Sequence, residues 1–318
     1  MTPPGQEQQA GTYAGLVTGL GSRSLLVHVD GHGELRCSLR GSFYEDASDE
    51  TRPVAVGDRV TLTLERGEGV IEELLPRTNS LARPDAGKAG RADRKGKNAL
   101  LQVIAANIDR LLVVASLADP PFRPGLADRF LVAAAAQGLH PVLVLNKRDL
   151  AQPDALALAA PYHGFGLDVI ETSCTSGAGI AELAALMSTG VSLLVGHSGV
   201  GKTSLLNAVS PGLALTTGTV SDYHGRGRHT TTKTSLLPLA GGGFVVDSPG
   251  IREFGVTGLT EGELARLYPG FGELPDSCRF SDCRHRSEPG CAVRAAVADG
   301  TLSADRHEAY LRLLEGLP

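Results

Sequence analysis

Apolar and polar positions alternate in short runs up to about residue 76. Thr12–Val17, Ser24–Val29, Glu34–Leu39, Arg59–Leu64 and Gly69–Leu74 read as strands, and Asp30-Gly31 and Val56-Gly57-Asp58 read as turns between them. Five short strands at this spacing fit a small barrel of OB type, and they also suit other small all-β domains. The acidic stretch Glu45, Asp46, Asp49 and Glu50 reads as a solvated loop, and residues 1–10 as a frayed tail. After Asn107 the pattern changes. Continuous apolar runs at Leu111–Ala115, Pro141–Leu145, Val169–Thr172 and Ser192–Val195 read as strands, with further strands at Ser235–Leu239 and Phe244–Val246. Helical periodicity falls at Leu126–Gln137, Gln152–Ala160, Gly179–Met187 and Lys202–Val209. Apolar strands alternating with helices predict a parallel sheet covered on both faces. Beyond Gly258 the chain becomes helical and then cysteine-rich.

A length of 318 residues suggests two or three domains. With 42% hydrophobic and 20% charged residues, the chain is not a disordered one. The net charge of −5 excludes a uniformly basic nucleic-acid binder but leaves room for local basic patches. One such patch lies at residues 83–97. Arg83, Lys88, Arg91, Arg94, Lys95 and Lys97 stand there against Asp85 and Asp93, a local balance of +4. It reads as a linker or hairpin, either a solvated tether or a contact for nucleic-acid phosphates. No apolar run reaches the ~18 residues of a spanning helix. Nor does the N-terminus have the basic and apolar regions of a secretory signal. These features predict a cytoplasmic protein without a membrane partner.

The motif that carries most chemistry is Gly196-His197-Ser198-Gly199-Val200-Gly201-Lys202-Thr203, which fits G-x-x-x-x-G-K-[ST] and is followed by Ser204. It lies between a predicted strand and a predicted helix. Glycines let the loop wrap closely around phosphates, and backbone N–H groups at the helix N-terminus cradle them. Lys202 would reach the β- and γ-phosphates, and Thr203 would ligate Mg²⁺. Asn146-Lys147-Arg148-Asp149 ends another predicted strand and names the base. Asp149 can accept from guanine N1–H and N2–H₂, a donor pair adenine lacks. Lys147 can lie along the base plane, and Asn146 can tie its loop to the P-loop. Glu171-Thr172-Ser173-Cys174 ends the next strand, where a backbone N–H at Ser173 or Cys174 would meet guanine O6. Cys174 also reads as a small buried residue. Asp247-Ser248-Pro249-Gly250 matches D-x-x-G, in which Asp247 holds Mg²⁺ through water and the Gly250 N–H meets the γ-phosphate. The run Gly225-Arg226-Gly227-Arg228-His229-Thr230-Thr231-Thr232 can supply a further Mg²⁺ ligand. Thr231 is favoured for that role, and the sequence does not separate it from Thr230 and Thr232.

Together these motifs indicate GTP or GDP with Mg²⁺, in an unusual order. The base-reading motifs at 146 and 173 precede the P-loop at 196, so the pieces are rotated along the chain. Circular permutation is tolerated because domain termini lie close together at the surface. A fourth constellation, Cys278, Cys283, His285 and Cys291, has the spacing C-x4-C-x-H-x5-C. Three thiolates and an imidazole make a closed tetrahedral set, the signature of one structural Zn²⁺ per chain. Arg279, Arg284, Arg286 and Arg294 lie nearby in sequence and can face phosphates.

On these motifs the chain resembles the ribosome small-subunit-dependent GTPases, the RsgA family. The resemblance also uses Cys37-Ser38-Leu39-Arg40-Gly41, Ala105-Ala106-Asn107-Ile108-Asp109, the permuted order, G-x-G-x-H-T-T-T, D-S-P-G and the zinc spacing. It implies a multidomain chain with three folded parts: an OB-like β-barrel, a circularly permuted α/β P-loop GTPase domain and a helical zinc-binding domain. Residues 1–82 would form the tail and barrel, 83–100 a basic linker, 101–270 the GTPase domain and 271–318 the zinc-binding domain. It further implies GTP hydrolysis stimulated by the 30S subunit, contact with 16S rRNA, and a role in late 30S maturation by a monomer. The rivals are an RNA-binding module that senses GTP without catalytic activation, a permuted GTPase of the large subunit, and a P-loop kinase. The last leaves N-K-x-D without a purpose. Many GTPases place a water-orienting Gln after D-x-x-G, but here the residue is Ile251. Slow intrinsic turnover is therefore expected. His229 is the candidate for orienting water, with an RNA-contacting or solvated histidine as the competing reading.

Overall fold

The computed structural model describes residues 11–21, 24–40, 43, 53–65, 67–84, 101–215, 234–248 and 259–317. Its contacts divide the chain into two compact units.

The first unit is built on five strands: β1 (Thr12–Leu20), β2 (Leu25–Val29), β3 (Gly33–Leu39), β4 (Arg59–Glu65) and β5 (Glu68–Leu74). β1 pairs antiparallel with β2, and β2 with β3. β3 then runs parallel to β5, with Cys37 beside Gly69. β5 pairs with β4, and β4 returns to β1 with Thr12 opposite Thr63. The sheet therefore closes on itself, as an OB barrel does, and no strand of the ring is left as an edge. Alternation along the strands turns Val17, Val27, Val60, Leu62 and Ile71 into a fully buried core.

Two strands without a clear alternation follow. β6 (Ser80–Pro84) and β7 (Leu101–Ala106) pair antiparallel, from Ser80 opposite Ala106 to Pro84 opposite Leu101. The basic positions Lys88, Arg91, Arg94, Lys95 and Lys97 lie outside the described residues, as do the acidic positions 45, 46, 49 and 50. β7 is held to the barrel side by Asn107, whose Nδ2 donates to Gly57 O at 2.9 Å while its Oδ1 accepts from Thr78 N at 2.9 Å.

The second unit is an α/β layer. Its strands are β8 (Arg110–Ser116), β9 (Pro141–Asn146), β10 (Asp168–Glu171) and β11 (Val191–Val195). They are parallel, in the order β10-β9-β8-β11. Phe244 and Val245 of a later strand continue the sheet beside β11. β8, β9 and β11 are buried along almost their whole length. That burial is why they read as unbroken apolar runs rather than alternating ones. The connecting helices are α1 (Pro124–Ala136), α2 (Pro153–Ala159), α3 (Ile180–Met187) and α4 (Lys202–Val209). α1 begins two residues earlier than its periodicity suggests because Pro124 suits the first helical position, where no N–H is required. After α4 a short 3₁₀ turn follows at Pro211–Leu213, and the later strands are β12 (Ser235–Pro238) and β13 (Phe244–Asp247).

The C-terminal segment belongs to this second unit. α5 (Glu261–Leu267) opens with a capping box between Thr260 and Glu263. The cysteine-rich loop follows, then α6 (Ala292–Ala298) and α7 (Ala304–Glu315). α7 is fastened to α1 by a buried ion pair, in which Arg306 Nη1 lies 2.7 Å from Asp128 Oδ2. Tyr162 and Tyr268 hydroxyls donate to the same carboxylate at 2.7 and 2.9 Å. The other guanidinium nitrogens donate to Pro269 O at 2.9 and 2.7 Å. Burial pushes the Asp128 carboxyl up, against the Arg306 charge and these donors. Because Arg does not deprotonate in proteins, we assign the pair as ionised.

Removing one partner of such a pair strands the other charge. Arg306→Met should therefore lower the unfolding free energy by about 3 kcal/mol or more, while Asp128→Leu combined with Arg306→Met recovers most of the loss. Urea unfolding of the metal-loaded chain checks this. Equal stability of the single variant and the parent would mean the pair is not buried in solution.

Candidate nucleotide site and metal centre

The C-terminal ends of β8, β9, β10 and β11 lie along one edge of the parallel sheet, where open α/β sheets place their ligand sites. Gly196–Thr203 leaves β11 and enters α4 there. Two of its glycines are required by sterics. Gly196 has φ +146° and a Cβ on it would lie 2.2 Å from Val114 O. Gly201 has φ +98° and its Cβ would lie 2.3 Å from Asn146 Nδ2. Lys202 folds over the loop, with Nζ donating to Gly196 O at 2.7 Å and His197 O at 3.0 Å. Thr203 is buried in the first turn of α4, and Val200 is buried beneath the loop.

Asn146 ends β9 and is fully enclosed. Its Nδ2 donates to Val200 O at 2.9 Å, which ties the β9 end to the P-loop as the sequence suggested. Its orientation is set by Thr172, whose hydroxyl donates to Asn146 Oδ1 at 3.1 Å. Sequence reading placed Thr172 in a strand and gave it no role, although a hydroxyl beside a strand-end Asn is the available signal. Lys147 adopts a left-handed backbone conformation, φ 62°. Its Nζ donates to Gly199 O at 2.9 Å and to Asp119 O, so its stem lies across the mouth of the loop. Arg148 turns elsewhere, with Nε 2.6 Å from Glu171 Oε2. Asp149 is exposed, and the Ser173 hydroxyl holds its carboxyl below the ordinary carboxylate range. Ser173 Oγ also accepts from Ser176 N at 3.1 Å, which leaves its one proton for Asp149. Cys174 is exposed rather than buried. Partial desolvation and then the Asp149 charge push its thiol up.

Asp247 ends β13, and burial pushes its carboxyl up. Gly250, Ile251, His229, Thr231 and its neighbours Thr230 and Thr232, and Arg226 and Arg228 lie outside the described residues.

Cys278, Cys283, His285 and Cys291 converge, with their ligand atoms all within 4.8 Å of one another. His285 Nδ1 is 3.5 Å from Cys278 Sγ and 3.4 Å from Cys291 Sγ, and those two sulfurs are 3.9 Å apart. Tetrahedral zinc with its usual bond lengths separates two sulfurs by about 3.8 Å, and sulfur from nitrogen by about 3.6 Å. The set therefore fits a four-coordinate metal ion. Backbone N–H groups of Ala292 and Arg294 donate to Cys278 and Cys291 sulfurs, as they would to thiolates. The loop is organised by Glu288, whose carboxylate accepts from the N–H groups of Arg284, Arg286 and Ser287 at 2.8 to 3.0 Å. Burial opposes ionisation of Glu288, but these donors hold its carboxyl at about 2. Of the nearby arginines, Arg284 is paired with Glu261 at 2.5 Å and Arg286 with Glu315 at 3.8 Å. Arg279 lies over the Phe280 ring at 5.4 Å.

The RsgA GTPase family model matches residues 74–257, more than half of the chain. The chain belongs to this family. The small ribosomal subunit biogenesis GTPase RsgA of Gemmatimonas aurantiaca is 41% identical, over 92% of this chain and 93% of its own. The protein of that name from Chlorobaculum parvum is 38% identical over 96% and 98%. Among solved structures, YjeQ from Thermotoga maritima superposes with a TM-score of 0.76 at 33% identity, covering 96% of this chain and 98% of that one. YloQ, described as a circularly permuted GTPase, gives 0.74 at 29% identity, covering 98% and 97%. The family assignment thus agrees with the permuted motif order and the barrel. Among the described residues no helix is long and apolar enough to cross a membrane.

In the metal-free chain burial pushes the Cys283 thiol up to about 12, and Cys291 is raised as well. Metal must displace those protons, so affinity rises with pH. Binding of one thiophilic divalent ion should release at least two protons near neutrality. The apparent affinity should climb by about two to three decades per pH unit between pH 6 and 8, one for each thiol proton displaced. Calorimetry in buffers of different ionisation enthalpy counts the protons, and a pH-independent affinity would contradict thiol ligation.

Proposed function

We propose that this chain hydrolyses GTP and acts in maturation of the small ribosomal subunit, with turnover stimulated by that subunit. The observation that supports the reading is the direct bond from Asn146 to Val200 O, which joins the N-K-x-D segment to the G-x-x-x-x-G-K-T loop on one sheet edge. The names of the relatives supply the small subunit.

In this reading the N–H groups of Gly196–Thr203 and the Lys202 ammonium hold the β- and γ-phosphates, with Ser204 extending the helix start. Asp149 reads guanine, with Ser173 and Cys174 lining the base, and Lys147 lies along the ring plane. Thr203, Thr231 and Asp247 would hold Mg²⁺, directly or through water, and Gly250 would meet the γ-phosphate. When bound, the ion would supply positive charge against that developing on the phosphate oxygens. The Cys278, Cys283, His285 and Cys291 set holds one Zn²⁺ with no open position, so its role is structural. His229 orients the attacking water, since Ile251 cannot. Contact with 16S rRNA, action as a monomer and a cytoplasmic location complete the reading. Arg226, Arg228 and the 83–97 cluster would supply phosphate contacts.

Replacing Asp149 by Asn removes two charge-assisted acceptors for guanine and offers a donor to the 2-oxo group of xanthine. GTP affinity should fall by roughly 10²-fold, about 3 kcal/mol, while xanthosine triphosphate gains. Competition binding against both nucleotides decides it, and unchanged GTP affinity would remove Asp149 from the site.

GTP turnover with purified 30S, with 50S as control, tests the activity. Stimulation by 30S alone is expected, and His229→Ala should lose that stimulation while still binding 30S. Tight GTP-dependent 30S binding without stimulation would instead mark a nucleotide-sensing module. Stimulation by 50S would assign the other subunit.

A further inference from the structure

α7 carries two adjacent side chains that reach different parts of the second unit. Arg306 is paired with Asp128 on α1. His307 Nε2 lies 2.7 Å from the carbonyl oxygen of His285, one of the four metal-ligand candidates. One turn on, the Tyr310 hydroxyl donates to Arg284 O at 3.4 Å. The helix therefore grips the backbone of the metal loop with His307 and Tyr310, and grips α1 with Arg306.

α1 in turn borders the phosphate loop. The Tyr162 hydroxyl, which donates to Asp128, also lies 3.2 Å from Pro124 O at the first residue of α1. The loop just before α1 supplies Asp119 O to Lys147 Nζ. Pro120 of that loop approaches within 3.5 Å of where a Cβ on Gly199 would sit. Leu126, Ala127 and Phe130 of α1 line one cavity of about 50 Å³ with His197 and Val200 of the P-loop. An unbroken series of hydrogen-bonded and packed groups thus runs from the His285 carbonyl to the phosphate loop.

We propose that metal binding at the Cys/His cluster and nucleotide binding at Gly196–Thr203 are positively coupled through α7, with His307 and Arg306 as positioning residues. The coupling rests on reading Gly196–Thr203 as the nucleotide site. A bound metal fixes the loop from Cys278 to Cys291, and with it the acceptor for His307. That holds the first turn of α7, so Arg306 holds α1 and the loop that supports Lys147. Whichever ligand binds first lowers the ordering cost for the second. The effect is reciprocal, so each ligand tightens the other by one common factor.

The test titrates the full chain against a chromophoric zinc chelator, with and without saturating Mg·GDP. GDP should tighten zinc binding at least about five-fold, and zinc should tighten GDP binding by the same factor. His307→Ala should bring the factor below about two-fold, and His307→Gln, which keeps a donor of similar reach, should restore it. The wild-type ratio decides the coupling whether or not a variant folds. Failure of Mg·GDP to bind the zinc-loaded chain would sink the reading of the site and the coupling with it. GDP binding with equal zinc affinity in both arms would sink the coupling alone. A factor unchanged in His307→Ala would overturn the route through α7.

Discussion

Arg306 and Asp128 are both nearly excluded from water, and two charges in such a place hold only if every donor and acceptor is met. The structure meets them with groups from widely separated segments. Tyr162 lies after α2, Tyr268 and Pro269 after α5, and Arg306 on α7. Three aromatic rings, Tyr162, Phe165 and Tyr268, also lie within 5.2 Å of the guanidinium carbon. Hydrophobic packing tolerates small slips, but this network does not, because a displaced hydroxyl leaves a buried charge short of a partner. The C-terminal segment is therefore fixed on α1 at a defined position. The metal loop between α5 and α6 inherits that position.

The same economy of strand ends governs the nucleotide site. Parallel strands deliver their C-terminal residues to one edge, and β9 and β11 lie on either side of β8. Asn146 and the P-loop can meet across that gap only because Gly201 has no side chain. The chain order of the motifs does not matter to this geometry. A permuted chain reaches the same edge because each strand still enters from the same end of the sheet.

Much of the fold was legible from local pattern. The five barrel strands alternate and the α/β strands do not, because the former are buried on one face and the latter on two. β6 and β7 were missed. Leu81-Ala82-Arg83-Pro84 has no clear period, and its partner lies beyond a Gly- and Lys-rich stretch. In the site, Asn146, Lys147 and the P-loop glycines announced themselves by spacing. Thr172 did not, since its role depends on which atom of Asn146 it faces. Cys174 was open to a buried reading and is exposed, because β10 ends at Glu171, three residues before it.

The sequence by itself determined most element types, the motif order and the four-residue metal set. Each depends on residues close together in the chain, where spacing fixes geometry. Only the tertiary structure decided that Asp128 meets Arg306, 178 positions away, and that His307 meets the metal loop. It also decided that Arg284 and Arg286 are engaged by glutamates. A side chain's charge shows what it can pair with, but the partner is chosen by how whole elements pack, and no local pattern encodes that choice.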